Sequence, residues 1–345
     1  MRIRLVNTLK GGEILAEPVI TEEKETLIPQ GTRLKSEYLD LLSFLGIETV
    51  CIEDPFASEE KPHRIISNEK TEEYIKRVQK ILENHIYQEK NSLEKLKPLS
   101  EEMVAELLQV DENLVIDMGE RNGNLYEHTI MVTMLTVMVA RKLKVAEESL
   151  TEIALGCLLH DLGLRYITVP YINQDMESRP SSEIFEYKKH TIQAYSALEG
   201  EDWIGTNAKK MILSHHERRD GSGFPLKQKS RELECNILQA CDALDCAISG
   251  MECKRVGIQE ALEYLMETAD VLFERKIVKV IAKLVGRYPV GTKVRLTSGE
   301  LGIVISQTDN SIRPVIGVLD ETEQLTEIRY ELNKNKKISI LQVED

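Results

Sequence analysis

The stretch Leu150–Gly163, LTEIALGCLLHDLG, decides how this chain is read. Leu150, Ile153, Ala154, Cys157 and Leu158 recur at steps of three and four, the stripe of a helix with one face in a core. His160 and Asp161 close that stripe just before Gly163, which puts an imidazole and a carboxylate at the core-facing end of a helix. The helical period continues outward on both sides. From about Thr71 it predicts helices near 100–110, 125–143, 147–162, 181–198, 206–217, 235–249 and 257–285. The first stripe, Ile75, Val78, Ile81, Leu82, His85 and Ile86, is backed by a heavily charged Lys/Glu face, as expected of a connector or a dimer seam.

The ends of the chain change period. Residues 1–55 alternate in RIRLV and ILAEPVI, turn at Pro29-Gln30-Gly31, carry a short helix over Ser36–Leu45 and return as a strand over Glu48–Ile52. This is a small α/β module. The polar DPFASEEKPHR at 54–64 leads into residues 56–109, a linker and a charged helical connector; residues 110–285 are the main helical block. Beyond Gly286 and Pro289 the period becomes that of strands, with a hairpin around Ser298-Gly299 in VRLTSGELGIVIS, and a small β-barrel is expected over 286–345. The fold class is mainly α, a helical bundle with a small module at each end.

Composition narrows the function. The 345 residues carry 44 Lys+Arg against 58 Asp+Glu, a formal charge of −14, which argues against binding a nucleic-acid backbone. A small anionic ligand remains compatible, because local charge can oppose net charge. No segment reaches the roughly 18 apolar residues of a membrane helix. The start, MRIRLVNTLKGGEILAEPV, has no sustained apolar run, and the six cysteines include no CxxC pair. The expectation is a cytoplasmic protein with reduced, mostly buried thiols and no membrane partner.

Five of the seven histidines, His128, His160, His190, His215 and His216, fall in the helical block. Singly each reads as a packed or surface residue. Their placement changes that reading. His190 lies one turn from Tyr187 and Ala194 on another amphipathic helix, and the adjacent His215 and His216 diverge by about 100° around a helix, able to serve two metals. Asp242 lies in the apolar run NILQACDALDCAI, where a carboxylate needs a partner. His with carboxylate suits Fe, Mn or Zn, and helices that each offer an inward ligand are how bundles build dinuclear sites. After the His pair, HHERRDGSGFP at 215–225 reads as a rigid, tightly turned loop.

In order, His128, LLHDLG at 158–163, His190, HHERRDGSGFP and Asp242 within ILQACDALD resemble the HD-GYP family of HD-type phosphohydrolases over about residues 110–285. The resemblance implies an HD-type bundle holding two divalent metals, Fe or Mn, on His128, His160, Asp161, His190, His215, His216 and Asp242, with Asp161 bridging and His160 and Asp161 catalytic. It implies hydrolysis of cyclic di-GMP to the linear dinucleotide, with GMP as a further product, by attack of hydroxide held between the metals. Arg165, Gly221, Gly223, Phe224, Pro225 and Lys254 would contact the substrate, and the charged connector would pair two copies as a homodimer.

The departures are specific. Leu164 stands where the family motif HDxGK has a phosphate-contacting Lys, with Arg165 next along as a substitute. Asn124 stands where some members place a Glu for a third metal, and GYP reads Gly223-Phe224-Pro225. A basic DRPYR-like stretch is replaced by Gly250-Met251-Glu252-Cys253-Lys254, in which Glu252 would repel a phosphate. The altered stretch at 250–254 keeps open another HD-type nucleotide phosphohydrolase, and Leu164 and Met251 keep open a non-catalytic metal- or ligand-binding signalling protein.

Overall fold

The computed structural model describes residues 2–20, 25–47, 49–53, 56, 62–86, 91–119, 121–229 and 232–344. Glu48, most of the expected linker 54–64 and residues 87–90 of the connector lie outside the described residues. The chain divides into two compact units, one of residues 1–63, 117–122 and 288–345, the other of residues 64–116 and 123–287. Among the described residues no helix is long and apolar enough to cross a membrane.

In the first unit, β1 (Arg2–Leu5) pairs antiparallel with β4 (Thr49–Ile52), and β2 (Val19–Ile20) with β3 (Thr26–Ile28). With α1 (Ser36–Phe44) they enclose Val6, Leu15, Leu34, Leu42 and Val50. The remaining strands, β5 (Lys293–Leu296), β6 (Leu301–Ser306), β7 (Val315–Leu319), β8 (Leu325–Glu331) and β9 (Ile340–Val343), form one antiparallel sheet in the order β8-β7-β6-β5-β9. The hairpin expected at Ser298-Gly299 joins β5 to β6, with Gly299 at φ +91°, where glycine has no steric penalty.

Among the described residues the expected β-barrel is not formed: β8 and β9 are both edges, and the sheet is open. The reason lies in β6. Its Val304 joins Val294, Leu296 and Ile316 on one face, while Ile303 and Ile305 join Leu319 and Phe56 on the other. A small barrel wall buries one face, whereas a strand apolar on both faces is the centre of a covered open sheet. Alternation fixes which residues share a face, but it does not say which edges meet.

The second unit is helical: α2 (Asn68–Ile86), α3 (Leu96–Leu107), α4 (Leu125–Lys142), α5 (Glu147–Leu159), α6 (Ser181–Lys188), α7 (His190–Leu198), α8 (Thr206–Ser214), α9 (Leu233–Ser249), α10 (Ile258–Glu267) and α11 (Arg275–Leu284). At its centre α4 is buried almost all round, as expected of an apolar run such as TIMVTMLTVMVA, and packs on α2, α3, α5, α9 and α11. Its Thr129 and Thr133 hydroxyls donate to carbonyls four residues back, which lets them be buried without cost in unpaired groups. On α2 the buried residues are Tyr74, Val78 and Leu82. The single helices expected over 181–198 and 257–285 are each two, broken at Lys189 and over 268–274. The first break starts a helix at His190.

Candidate metal centre

Three of the five clustered histidines are set by a local backbone device. They stand at helix ends, where the last carbonyls lack helical partners. The His160, His190 and His215 Nδ1–H groups donate to the carbonyls of Cys157 (2.6 Å), Tyr187 (2.8 Å) and Ile212 (2.8 Å), each three residues back. A carbonyl only accepts, so the proton sits on Nδ1 and the bare Nε2 faces inward. His128, in the first turns of α4, has its Nδ1 2.7 Å from Asp245 Oδ2 on α9. That carboxylate does for His128 what the carbonyls do for the other three.

The structure brings all seven sequence-predicted ligands together. His128, His160, His190 and His215 are fully buried, and Asp161, Asp242 and His216 nearly so. Asp161 stands between two halves. Its Oδ2 is 3.3 Å from both His128 Nε2 and His160 Nε2, while its Oδ1 is 3.4 Å from His215 Nε2 and 3.8 Å from His190 Nε2. Asp242 Oδ1 is 3.2 Å from His128 Nε2, and its Oδ2 is 3.9 Å from His216 Nδ1. In the second half, one donor atom each from Asp161, His190, His215 and His216 lies within 4.8 Å of the others.

This donor set fits two cations. Both Asp161 oxygens and Asp242 Oδ2 are buried and have no hydrogen-bond partner among the described residues. His190 Nε2 and His215 Nε2 face each other at 3.2 Å, and with both protons on Nδ1 their lone pairs repel unless positive charge lies between them. Buried carboxylates and imidazoles so arranged are costly alone and favourable around a metal.

The two halves hold protons differently. Burial opposes protonating His128 and His160, but Asp161 and Asp242 outweigh it and raise both, His160 to about 10. Burial equally opposes ionising Asp161 and Asp242, yet the surrounding histidines hold both well below the usual carboxylate range. In the other half burial, reinforced by neighbouring histidines, lowers His190 to about 4 and His216 well below its ordinary value. Those two rings are neutral at pH 7, the form that ligates.

Supporting residues lie around the cluster. Gly163 makes the close approach that seats His190: a Cβ there would lie 1.8 Å from the His190 carbonyl oxygen. Gly163→Ala is therefore expected to cost about 2 kcal/mol or more through forced backbone displacement, read as a lower midpoint in urea unfolding. Glu217 accepts from the backbone N–H groups of Leu226 (2.6 Å), Lys227 (3.0 Å) and Gln228 (2.9 Å), pinning the loop after the His pair. In that loop Gly221 has φ +86°, and a Cβ on Gly223 would lie 2.3 Å from the His216 carbonyl. Asn124 is the N-cap of α4, accepting from Tyr126 and Glu127 N–H at 3.0 and 3.1 Å.

The expected substrate residues are placed less uniformly. Phe224 stacks on His216 with ring centres 4.5 Å apart, and Pro225 follows it through a cis peptide. Arg165 is half-buried with its guanidinium 5.8 Å from the centre of the Tyr126 ring, Leu164 is buried, and Lys254 is exposed. Sequence reasoning missed two carboxylates. Asp245 follows Asp242 by three residues in the same apolar run, so the argument that singled out Asp242 applied equally to it. Glu252, set aside as repulsive to phosphate, is buried with Oε2 3.0 Å from His216 Nε2. Asp245→Ala is expected to weaken metal binding at the His128 half by about 10- to 100-fold, measurable by competition titration with a chelator.

A family model described as HD domain matches residues 102–277 of the 345. The chain belongs to the HD-domain family. Within that family it is 30% identical over 190 residues to a protein of Pseudomonas aeruginosa named cyclic di-GMP phosphodiesterase, covering 54% of this chain and 45% of that one. It is 28% identical over 169 residues to a Thermotoga maritima protein of the same name, covering 48% of this chain and 45% of that one. The HD-domain chain thus spans less than half the length of these curated relatives. Its fold is similar to an HDG"Y"P protein from Bdellovibrio bacteriovorus, with TM-score 0.50 and 16% identity over 81% of this chain and 97% of that one.

Proposed function

We propose that the helical unit is a metal-dependent phosphodiesterase that opens cyclic di-GMP to the linear dinucleotide, with GMP as a further product, using two Fe or Mn ions. The observation that carries this reading is Asp161, whose two oxygens face separate sets of histidines. Two of the chain's relatives are named for this activity. When bound, the two divalent cations supply an activated water and neutralise charge on the phosphoryl oxygens. The protein orients them: Nδ1 bonds fix the rings of His128, His160, His190 and His215, Asp161 ties the halves together, and Glu217 holds the Gly221–Pro225 loop beside His216. A cysteine nucleophile has no support, since burial raises the thiols of Cys157, Cys241 and Cys246 above their ordinary value.

A non-catalytic signalling role is the second reading, favoured by Leu164, which offers no donor where the motif has Lys. The homodimer through the connector is the weakest part, because Tyr74, Val78 and Leu82 are already buried within this chain. A cytoplasmic site of action accords with the free cysteines. The test is a panel of cyclic di-GMP, cyclic di-AMP, cyclic GMP-AMP and a nucleotide monoester, given to the metal-loaded chain and followed by chromatography. The proposal expects the highest kcat/KM with cyclic di-GMP. Faster turnover of another member would move the activity to a different nucleotide, and metallated protein that turns over none would leave the signalling role.

A further inference from the structure

Glu252 lies outside the ligand set that the HD motifs supply. Gly250, in the left-handed region at φ +75°, ends α9 and turns the chain back along it, a return fixed by the Val256 N–H donating to the Ala247 carbonyl at 2.8 Å. Glu252 itself is at φ +61°, a conformation that side chains bearing a Cβ seldom adopt. The strain holds a carboxylate inside the protein: its side chain is 4% exposed. Oε2 is 3.0 Å from His216 Nε2 and Oε1 is 3.8 Å from His190 Nε2.

These contacts are not ordinary hydrogen bonds. Among the described residues neither Glu252 Oε1 nor His216 Nε2 has a hydrogen-bond partner, although His216 is within bonding distance of Oε2. The two groups lie side by side without pointing at each other, which is the disposition of donors directed at a common third centre. Oε2 also lies 3.9 Å from the Cys246 thiol, too long to satisfy a buried carboxylate, and the buried Tyr187 hydroxyl interacts with the same carboxylate, which pushes that phenol's pKa further up. Strained backbone, burial, an unpartnered oxygen and two adjacent ligand nitrogens have one economical explanation.

We propose that Glu252 is an eighth ligand, binding the metal held by His190, His215 and His216. This rests on the dinuclear reading of the site and deepens it: three carboxylates, Asp161, Asp242 and Glu252, would then face two divalent cations. An incoming phosphate at that half would have to share or displace the Glu252 oxygen. Glu252 is thus a positioning and charge-setting group built into this chain by the segment that replaces the basic stretch of its relatives.

The test is anaerobic Co(II) titration of the full chain and of Glu252→Gln, followed by bound-metal analysis and visible absorption. Gln keeps the volume and a neutral oxygen but loses the charge. The expected result is two Co(II) per wild-type chain, and in the variant one site unchanged and the other weakened about 10- to 100-fold, with an altered Co(II) spectrum. Two sites of wild-type affinity and spectrum in Glu252→Gln would overturn the Glu252 assignment while leaving the dinuclear reading intact. Fewer than two Co(II) in the wild type would instead contradict the dinuclear reading itself. Should Glu252→Gln fail to fold, Glu252→Asp is measured the same way, with partial retention of second-site affinity expected and wild-type behaviour contradicting the proposal.

Discussion

Asp161→Asn is expected to lower kcat for cyclic di-GMP by about 10³-fold or more. Asn preserves the volume and one oxygen but removes the charge and the second oxygen donor. Asp161 faces both halves, with Oδ2 3.3 Å from His128 and His160 and Oδ1 3.4 Å from His215. Asp161 would hold both cations, so losing it would weaken the joint charge they would supply to one phosphate. Metal assistance of this kind contributes several kcal/mol to the transition state, and each ~1.4 kcal/mol is tenfold in rate. The measurement is kcat at saturating metal and substrate, with bound metal determined on the same sample. A variant with wild-type turnover would show that the bridge is not part of the chemistry.

Metal removal is expected to lower the thermal midpoint by about 10 °C or more. A ligand at a thousand times its Kd stabilises by about 4 kcal/mol, and in a domain of this size each kcal/mol moves Tm by about 2–4 °C. The loss should be uneven. Without metal, His128 and His160 can take up protons and pair with Asp161 and Asp242, since those carboxylates raise both rings, His160 to about 10. His190, lowered to about 4, stays neutral at pH 7 with its Nε2 3.2 Å from His215 Nε2. Hydrogen exchange after chelation should therefore rise first in α7 and the end of α8. An unchanged Tm and exchange pattern in EDTA would contradict a metal-dependent core.

Much of this was legible in the sequence because apolar period and ligand identity are local properties. The stripe ending at His160-Asp161 and the lone carboxylate of Asp242 in an apolar run marked the cluster before any contact was known. What escaped was long-range. Asp245 supports His128 across 117 residues of chain, and that pairing has no local signature beyond a second acid in the same run. Glu252 showed in the sequence only as a charge facing a phosphate, whereas its burial beside His216 depends on the left-handed turn after α9. The open sheet was misread as a barrel for a related reason: alternation specifies faces, while closure depends on which edges meet.

The most direct test of the central claim is a single-turnover assay of cyclic di-GMP with the full chain, loaded anaerobically with Fe(II) or Mn(II). The expected result is conversion to the linear dinucleotide that requires the added metal and is lost on chelation. Intact cyclic di-GMP in the presence of protein carrying two metals per chain would contradict the account.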